Sequence, residues 1–252
     1  MSAALIVSGL RAGYGGKPVL HGVDLAVAQG SALTIVGPNG SGKSTLLKAI
    51  AGQIPVQAGT IAMGDTDLTR MSAQGRTRAG LVFVPQEGNV FRNMTVRENL
   101  RLGWDFHHRG AAGRLSVKLD AVLQLFPEIK PHMHTPAGLL SGGQRQMVAV
   151  ASAMMLDPRV LVLDEPSAGL SPRNARLLFE IIDRIRQTGL TLLMIEQNVQ
   201  LGLSVAEQGL VLVMGHVRHR APASELAQDT SLAALFLGAS GSHDAPATTV
   251  FE

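Results

Sequence analysis

The chain has 252 residues, of which 46% are hydrophobic, and this length and composition suit one globular domain. Its net charge is only +3 and its Lys and Arg residues are dispersed, which gives little support to nucleic-acid binding. It lacks cysteine, which excludes disulfides, thiolate metal sites and cysteine nucleophiles. No stretch approaches the roughly 20 apolar residues that cross a bilayer, so work at a membrane would require a partner that spans it.

Short runs of Leu, Val and Ile predict strands buried on both faces, because most are continuous and bounded by Gly, Pro or Asp. These runs are residues 4–7, 33–36, 81–84, 160–163, 190–195 and 210–214. A helix is predicted over Pro172–Gln187, with Ser171 as its cap and Gly189 just after its end. Strands that alternate with helices indicate an α/β fold with a mostly parallel sheet.

Residues 87–157 interrupt this alternation. They hold helical patterns around residues 95–104, 115–126 and 142–156 and no convincing strand, so we interpret them as a helical subdomain inserted into the α/β core. Residues 239–252 are small, polar and contain proline, which predicts a disordered tail after a domain that spans residues 1–238.

Two groups of charged or titratable residues are expected to lie at the surface. One is the small basic cluster of Arg70, Arg76 and Arg78, interpreted as a solvated face. The other comprises the histidine pairs His107 and His108, His132 and His134, and His216 and His219. These histidines have no accompanying carboxylate or thiolate pattern, so we do not expect them to bind a metal.

A phosphate-binding loop is predicted between the strand at residues 33–36 and a helix at residues 44–51. Residues 37–44 read GPNGSGKS and match the pattern G-x-x-x-x-G-K-[ST]. Its glycines let backbone N–H groups converge on a phosphate, and the helix N-terminus adds about half a positive charge. Lys43 would contact the β- and γ-phosphates, and the Ser44 hydroxyl can ligate Mg²⁺. The predicted phosphate-site residues are Gly37, Pro38, Asn39, Gly40, Ser41, Gly42, Lys43, Ser44 and Thr45.

Two carboxylates end a second apolar strand, at residues 161–165, which read LVLDE. Ligands of open α/β sheets bind at the carboxyl edge of the strands, beside the phosphate loop. We expect Asp164 to hold Mg²⁺ through water and Glu165, which points differently, to polarise the attacking water.

A second Ser-Gly-Gly turn opens a predicted helix at residues 140–145, which read LSGGQR. Close backbone approach, a helix N-terminus and a hydroxyl would make Ser141, Gly142, Gly143 and Gln144 a second phosphate-binding turn. Taken alone, the turn could also be a helix cap with Ser141 as N-cap. The three motifs together resemble the ABC (ATP-binding cassette) ATPase family, whose signature is LSGGQ, and the resemblance extends to about residue 238.

The resemblance implies a phosphate-loop NTPase core with a mostly parallel sheet, an N-terminal antiparallel β part and an inserted helical subdomain. It implies ATP hydrolysis with Mg²⁺ and assigns further residues. Tyr14 matches the aromatic residue that stacks on adenine, and Gln86 matches the Q-loop glutamine that senses Mg²⁺ and the attacking water. Residues 167–172, SAGLSP, match the D-loop that meets a second ATPase subunit.

One position departs from the family pattern. The family usually has a histidine after the strand predicted at residues 190–195, whereas here the aligned residue in IEQN is Gln197. A glutamine can hydrogen-bond a γ-phosphate but cannot carry a proton. This puts histidine-based proton transfer in doubt and leaves Glu165 as the base, beside Lys43, Gln86 and Gln197 as the other catalytic candidates.

The resemblance also implies partners. Two cassettes, this chain with itself or with a sister subunit, would enclose ATP head to tail at the cytoplasmic face of the inner membrane. They would act on permease subunits and, indirectly, on an external substrate-binding protein, without nucleic acid. The stretches PQEGNVFRNMTVRENL, LFPEIK, DEPSAGLSP, IEQN and LFLG resemble the second ATPase subunit of branched-chain amino acid importers. Urea-importer ATPases, exporters, soluble ABC ATPases and inactive regulatory cassettes remain alternatives.

Overall fold

The computed structural model describes residues 3–107 and 112–229 and contains two sheets and a set of helices. The strands are β1 (Ala3–Tyr14), β2 (Lys17–Ala28), β3 (Ala32–Val36), β4 (Val56–Met63), β5 (Thr66–Asp67), β6 (Leu81–Val84), β7 (Val160–Asp164), β8 (Thr191–Ile195), β9 (Gln208–Val213) and β10 (His216–Pro222). The helices are α1 (Lys43–Ile50), α2 (Ala73–Ala79), α3 (Val96–His107), α4 (Ala112–Leu125), α5 (Gly142–Met154), α6 (Pro172–Gln187), α7 (Val199–Ser204) and α8 (Ala223–Leu226), with 3₁₀ turns at Pro127–His132 and Ala137–Leu139.

The larger sheet has six strands in the order β10-β9-β3-β8-β7-β6, and all neighbouring pairs are parallel except β9 with β10. Every residue of β3, β7 and β8 is buried, as expected of short apolar strands covered on both faces. The smaller sheet is antiparallel, in the order β2-β1-β4-β5. The predicted fold class is therefore confirmed.

The core divides into layers because successive strand residues point to opposite faces. Leu33 and Ile35 of β3 face the smaller sheet and enclose α1 in one apolar cluster with the buried residues of β1 and β2. On the other face, α5 and α6 cover the larger sheet in a second cluster. The helix α1 is thus held between the two sheets, with its first residue at the carboxyl end of β3.

The chain between β6 and β7 is helical, as predicted. The helices α3 and α5 pack closely, since a Cβ added at Gly103 would lie 2.6 Å from the Ser152 carbonyl oxygen. An isolated bridge joins Thr95 to Pro136, and the described residues of this segment form no strand. The predicted tail at residues 239–252 lies outside the described residues, as does the end of the predicted domain.

Several elements were missed from sequence, chiefly in the smaller sheet. The run at residues 4–7 is only part of β1, and β2, β4 and α2 were not predicted. The exposed faces of these elements carry polar residues, and glycines lie within two of the strands, Gly22 in β2 and Gly59 in β4. The hydrophobic pattern that would predict a strand or a helix is therefore weak in their sequences. The helix over Pro172–Gln187 is confirmed with its Ser171 cap, which accepts a hydrogen bond from the Asn174 N–H.

The interpretation of the basic cluster as a solvated face is wrong for one of its members. Arg70 and Arg78 are exposed, but Arg76 is only 2% exposed. Its guanidinium donates to the carbonyl oxygens of Ala49 and Ile50 at the end of α1 and to those of Thr69 and Met71. Arg76 therefore hydrogen-bonds carbonyls at the C-terminus of α1, where the regular intrahelical hydrogen bonds end.

Candidate active site

The phosphate loop, residues 37–45, runs from the end of β3 into the first turn of α1. Position 37 requires glycine because the backbone of Leu212 passes close to it, and a Cβ there would lie 2.1 Å from the Leu212 carbonyl oxygen. Gly42 is the N-cap of α1 and has a left-handed backbone, with φ of 101°. No side chain caps this helix and no acidic residue lies in its first turn. The first N–H groups of α1 therefore remain available to an anion.

Lys43 lies across the loop and is 5% exposed. Its Nζ donates to the carbonyl oxygens of Gly37, at 2.8 Å, and Pro38, at 3.1 Å. Burial lowers the pKa of Lys43, while the charges of Glu165 and Asp164 act in the opposite direction. The loop thus concentrates a positive charge where its N–H groups converge, close to both carboxylates of the predicted hydrolytic pair.

Asp164 is the last residue of β7 and is 4% exposed. Burial and the neighbouring Glu165 charge raise the pKa of Asp164 to about 6, against the opposing effects of Lys48, Ser44 and Lys43. Its Oδ1 is buried and has no hydrogen-bond partner in the described structure. A buried carboxylate oxygen beside the Ser44 hydroxyl suits a hard cation, since Mg²⁺ takes oxygen ligands from one or two side chains, phosphates and water.

Glu165 lies in the turn that follows β7. Its φ of 45° is left-handed, a backbone conformation that is uncommon for a residue with a side chain. Its N–H donates to the Ile195 carbonyl oxygen of β8 at 3.0 Å. This turn directs Glu165 and the preceding Asp164 differently and places Glu165 at a cavity that Gln197 also lines.

Gln197 lies just beyond the carboxyl end of β8. Its side-chain Nε2 donates to Oδ1 of Asn39 in the phosphate loop, at 3.2 Å. The chain positions of the two residues differ by 158, and the parallel order of β3 and β8 brings them together. This contact places Gln197 at the phosphate loop, where the sequence predicts a γ-phosphate ligand.

The signature turn, residues 141–144, forms a complete capping box at the start of α5. The Ser141 hydroxyl accepts from the Gln144 N–H, and the Gln144 side-chain oxygen accepts from the Ser141 N–H. The Gln144 Nε2 also lies 2.9 Å from Nε2 of His132. His132 is half-buried and contacts the signature turn, so treating it as a surface residue was wrong.

Both interpretations of Ser141 are consistent with this geometry. It is the N-cap of α5, and it is also exposed at a helix N-terminus.

His134, His216 and His219 are exposed as predicted, whereas the side chains of His107 and His108 lie outside the described part of the chain.

A cavity of about 490 Å³ lies beside the signature turn. Gln86 and Gly142 line it together with residues 168–170, whereas the phosphate loop does not contribute to its lining. In the described residues, no hydrogen bond joins the Gln86 side chain to Ser44 or Asp164. The structure therefore brings the phosphate loop, Asp164, Glu165 and Gln197 together, whereas Gln86 and Gly142 of the signature turn line a neighbouring cavity.

Tyr14 ends β1, beside the hairpin turn into β2, and is 50% exposed. The same hairpin reaches the phosphate loop, because a Cβ on Gly42 would lie 3.1 Å from Leu20 and 3.4 Å from Val19. The ring of Tyr14 is thus presented to solvent on a strand pair that packs against the phosphate loop.

Glu196, which follows β8, was missed as a site residue. It is 1% exposed and accepts hydrogen bonds from Ser167, Gln197 and Asn198. Burial raises the pKa of its carboxyl, and the bonds from Ser167 and Asn198 counter this rise. The signal was present in the sequence, because TLLMIE resembles LVLDE as an apolar strand that ends in a carboxylate.

This arrangement can bind a polyphosphate and hydrolyse it. The N–H groups of the loop and the Lys43 ammonium would stabilise the negative charge of the transferred phosphoryl group. A carboxylate next to a cation-ligating carboxylate can orient water for attack on that group. The geometry therefore fits a nucleoside triphosphatase.

Comparisons with known proteins agree with this conclusion. The ABC transporter family model matches residues 20–168. The probable branched-chain amino acid transport ATP-binding protein LivF of Archaeoglobus fulgidus is 40% identical over 91% of this chain and 96% of its own length. The high-affinity branched-chain amino acid transport ATP-binding protein BraG of Pseudomonas aeruginosa is 37% identical over 81% of this chain and 86% of its own.

A solved structure of an ATP-binding cassette of an ABC transporter, in its ADP conformation, superposes with a TM-score of 0.83. It is 26% identical and covers 94% of this chain and 100% of the cassette. No helix within the described residues is both long and apolar enough to span a membrane. The chain belongs to the family of ATP-binding, ATP-hydrolysing subunits of ABC transporters.

Proposed function

We propose that this chain energises a membrane importer of branched-chain or other hydrophobic amino acids. The observation that carries the proposal is the 40% identity to the LivF protein, which extends over 91% of the chain and 96% of the LivF sequence. An importer of urea or another amide is the alternative.

ATP would lie with its phosphates on residues 37–45 and its adenine on Tyr14. Base–aromatic stacking of this kind contributes about 1–3 kcal/mol per base. Lys43 would reach the β- and γ-phosphates, because its ammonium is already held over the loop by the Gly37 and Pro38 carbonyls.

Ser44, Asp164 and Gln86 would hold Mg²⁺. The support is the buried Asp164 Oδ1, which lacks a hydrogen-bond partner in the described structure, and the Ser44 hydroxyl beside it. When bound, the ion would neutralise charge on the β- and γ-phosphates. Gln86, in the loop that follows β6, makes no hydrogen bond to Ser44 or Asp164 in the described structure and would join them as a further ligand of the ion.

Glu165 would act as the general base for the attacking water, and Gln197 would hydrogen-bond the γ-phosphate. The Gln197 contact with Asn39 supports this role, because the amide already lies at the phosphate loop. Gln197 can accept or donate a hydrogen bond but cannot take the proton from water. The proton is therefore assigned to Glu165.

The signature turn would close over ATP bound to a second cassette, in a head-to-tail pair. Two observations support this arrangement. Ser141 is exposed at the N-terminus of α5, and the phosphate loop of the same chain does not line the cavity beside it. A single chain would then bind ATP but hydrolyse it slowly, because half of the phosphate contacts come from the partner.

Permease subunits would dock on a groove between the α/β core and the helical segment. The groove encloses about 510 Å³ and is lined by apolar side chains that include Phe91, Leu102 and Phe106. Phe91 is 63% exposed and lies five residues after Gln86, so the groove adjoins the Q-loop. Such a partner would place this chain at the cytoplasmic face of the inner membrane and connect it to an external substrate-binding protein.

A transport assay tests the proposal. The tagged chain would be purified from membranes with its associated subunits, reconstituted in vesicles, and supplied with ATP inside and the co-purified binding protein outside. We expect uptake of radiolabelled leucine, isoleucine or valine, and uptake of urea alone would favour the alternative. Association with DNA or ribosomes instead of a permease would reject transport.

Glu165→Gln provides the matched test of chemistry. This variant retains the shape of the side chain but cannot accept a proton, so ATP binding should persist while kcat falls by about 10²–10⁴, the range for a positioned base. A kcat within about threefold of the unaltered chain would contradict the assignment of Glu165.

A further inference from the structure

Glu196 is a buried carboxylate to which the proposed chemistry gives no role. It directly follows β8, and its backbone N–H donates to the Ile35 carbonyl oxygen of β3 at 3.3 Å. Gly202 packs against it, since a Cβ there would lie 2.9 Å from the Glu196 Cβ. Backbone and neighbours thus fix the position from which the side chain extends.

The two carboxylate oxygens join two loops that are distant in sequence. Oε1 accepts from the Ser167 N–H at 2.9 Å, and Oε2 accepts from the Ser167 hydroxyl at 2.8 Å. Oε2 also accepts from the N–H groups of Gln197, at 3.1 Å, and Asn198, at 3.4 Å. An ionised carboxylate only accepts hydrogen bonds, so it matches this set of four donors.

Each loop carries a contact to a different part of the proposed assembly. Gln197 reaches Asn39 in the phosphate loop of the same chain. Ser167 begins the D-loop, residues 167–172, which would meet the second cassette. A cavity of about 600 Å³ is lined by both loops and by Glu165, so the base faces the space that the two loops share.

We propose that Glu196 is a positioning residue that fixes the D-loop to the segment carrying Gln197, so that arrival of a second cassette and alignment of the γ-phosphate contact occur together. This inference rests on the proposed roles of Gln197 and the D-loop. Glu196 does not touch the nucleotide in this scheme and acts through its neighbours.

The chain offers a variant at each end of the contact and a matched control. In Glu196→Gln, an NH₂ group replaces one carboxylate oxygen and meets a backbone N–H in either orientation of the amide, so that donor faces donor. Ser167→Ala removes only the hydroxyl bond, and its small size change keeps the test open if Glu196→Gln does not fold. Glu207→Gln makes the same chemical change near the start of β3, where Glu207 accepts from the Ala32 N–H and Arg186.

Two measurements on the full chain, with its co-purified subunits, decide the matter. The first is the steady-state ATPase rate. Hydrogen bonds to a charged group are among the stronger ones, so we expect kcat to fall about tenfold in Glu196→Gln and about threefold in Ser167→Ala. KM for ATP should change by less than about twofold, because the phosphate loop and Tyr14 are intact. The double variant should be no slower than Glu196→Gln, and Glu207→Gln should match the unaltered chain.

The second measurement is amide hydrogen exchange at residues 196–199 in the absence of nucleotide. Ser167→Ala, although 30 residues away in sequence, should speed exchange of the Gln197 and Asn198 amides about fivefold or more, while Glu207→Gln leaves it unchanged. The exchange result does not depend on activity, so an inactive unaltered chain would reject the proposed function without deciding the role of Glu196. Independent, multiplying effects of the two variants on kcat, or unchanged exchange in Ser167→Ala, would overturn the inference.

Discussion

Replacing Asp164, the proposed Mg²⁺ ligand, by Asn should stabilise the nucleotide-free protein. Asp164 is 4% exposed at the end of β7, and its Oδ1 has no hydrogen-bond partner in the described structure. Burial and the Glu165 charge raise its pKa to about 6, from the ordinary 3.8. The ionised form is therefore less favourable in the folded chain than in the unfolded one.

The size and direction of the effect follow from proton linkage. Between pH 3.8 and about 6 the folded protein binds the Asp164 proton more tightly than the unfolded chain, so stability falls as pH rises through this window. Above about pH 6, the full free-energy cost of ionising the buried Asp164 carboxyl lowers the stability of the folded protein. At about 1.36 kcal/mol per pH unit, the ionised carboxylate costs about 3 kcal/mol. The penalty disappears below the unfolded pKa, where both states are protonated.

Urea unfolding of Asp164→Asn in EDTA, without nucleotide, measures this penalty. We expect the variant to exceed the unaltered chain by up to about 3 kcal/mol in free energy of unfolding at pH 8, and the difference to shrink toward zero near pH 4. Asp120→Asn makes the same change on an exposed carboxylate and serves as the control. An Asp164→Asn protein that is equally or less stable at pH 8 would refute the reasoning.

Three further changes test other parts of the site. Lys43→Ala should weaken ATP binding at least about tenfold in a calorimetric titration, since the loop loses its buried charge; unchanged affinity would contradict its phosphate contact. Arg76→Met should lower the free energy of unfolding in urea by at least about 1–3 kcal/mol, the cost of one unsatisfied buried carbonyl, because the carbonyls that Arg76 contacts lose its guanidinium as donor. The exposed Arg78→Met is its control, and an equal loss in both would argue against the buried network. Gln197→His should keep ATPase activity within about fivefold if the position only hydrogen-bonds, and complete loss of turnover would show that model to be inadequate.

The sequence was most informative where function and burial impose the same pattern. The phosphate loop is recognisable because close contacts require glycine at positions such as Gly37, where a Cβ would clash with the Leu212 carbonyl. A buried strand and a helix also flank the loop. The strand that delivers Asp164 and Glu165 is buried at every residue, so its apolar run is continuous. The amphipathic helix over Pro172–Gln187 could be predicted because its cap and its apolar face are both formed by residues within the segment or next to it in sequence.

Long-range contacts between loops could not be predicted in the same way. Arginine is a residue type that usually lies at the surface, so the sequence does not indicate that Arg76 is buried. Only the fold brings the end of α1 to its guanidinium. Likewise, nothing near His132 in sequence indicates that it reaches Gln144. The bond between Glu196 and Ser167 depends on β7 and β8 being adjacent parallel strands, which the sequence indicates only as a class of fold.

The central claim is that the phosphate loop of one cassette and the signature turn of another enclose one ATP. A structure of the Glu165→Gln variant with ATP, Mg²⁺ and its natural subunits tests it most directly, because this variant should hold the nucleotide unhydrolysed. The account predicts the Ser141 Oγ at hydrogen-bonding distance, about 3 Å, from a γ-phosphate oxygen bound to the facing subunit's phosphate loop. A closed complex in which Ser141 lies far from every γ-phosphate oxygen would contradict it.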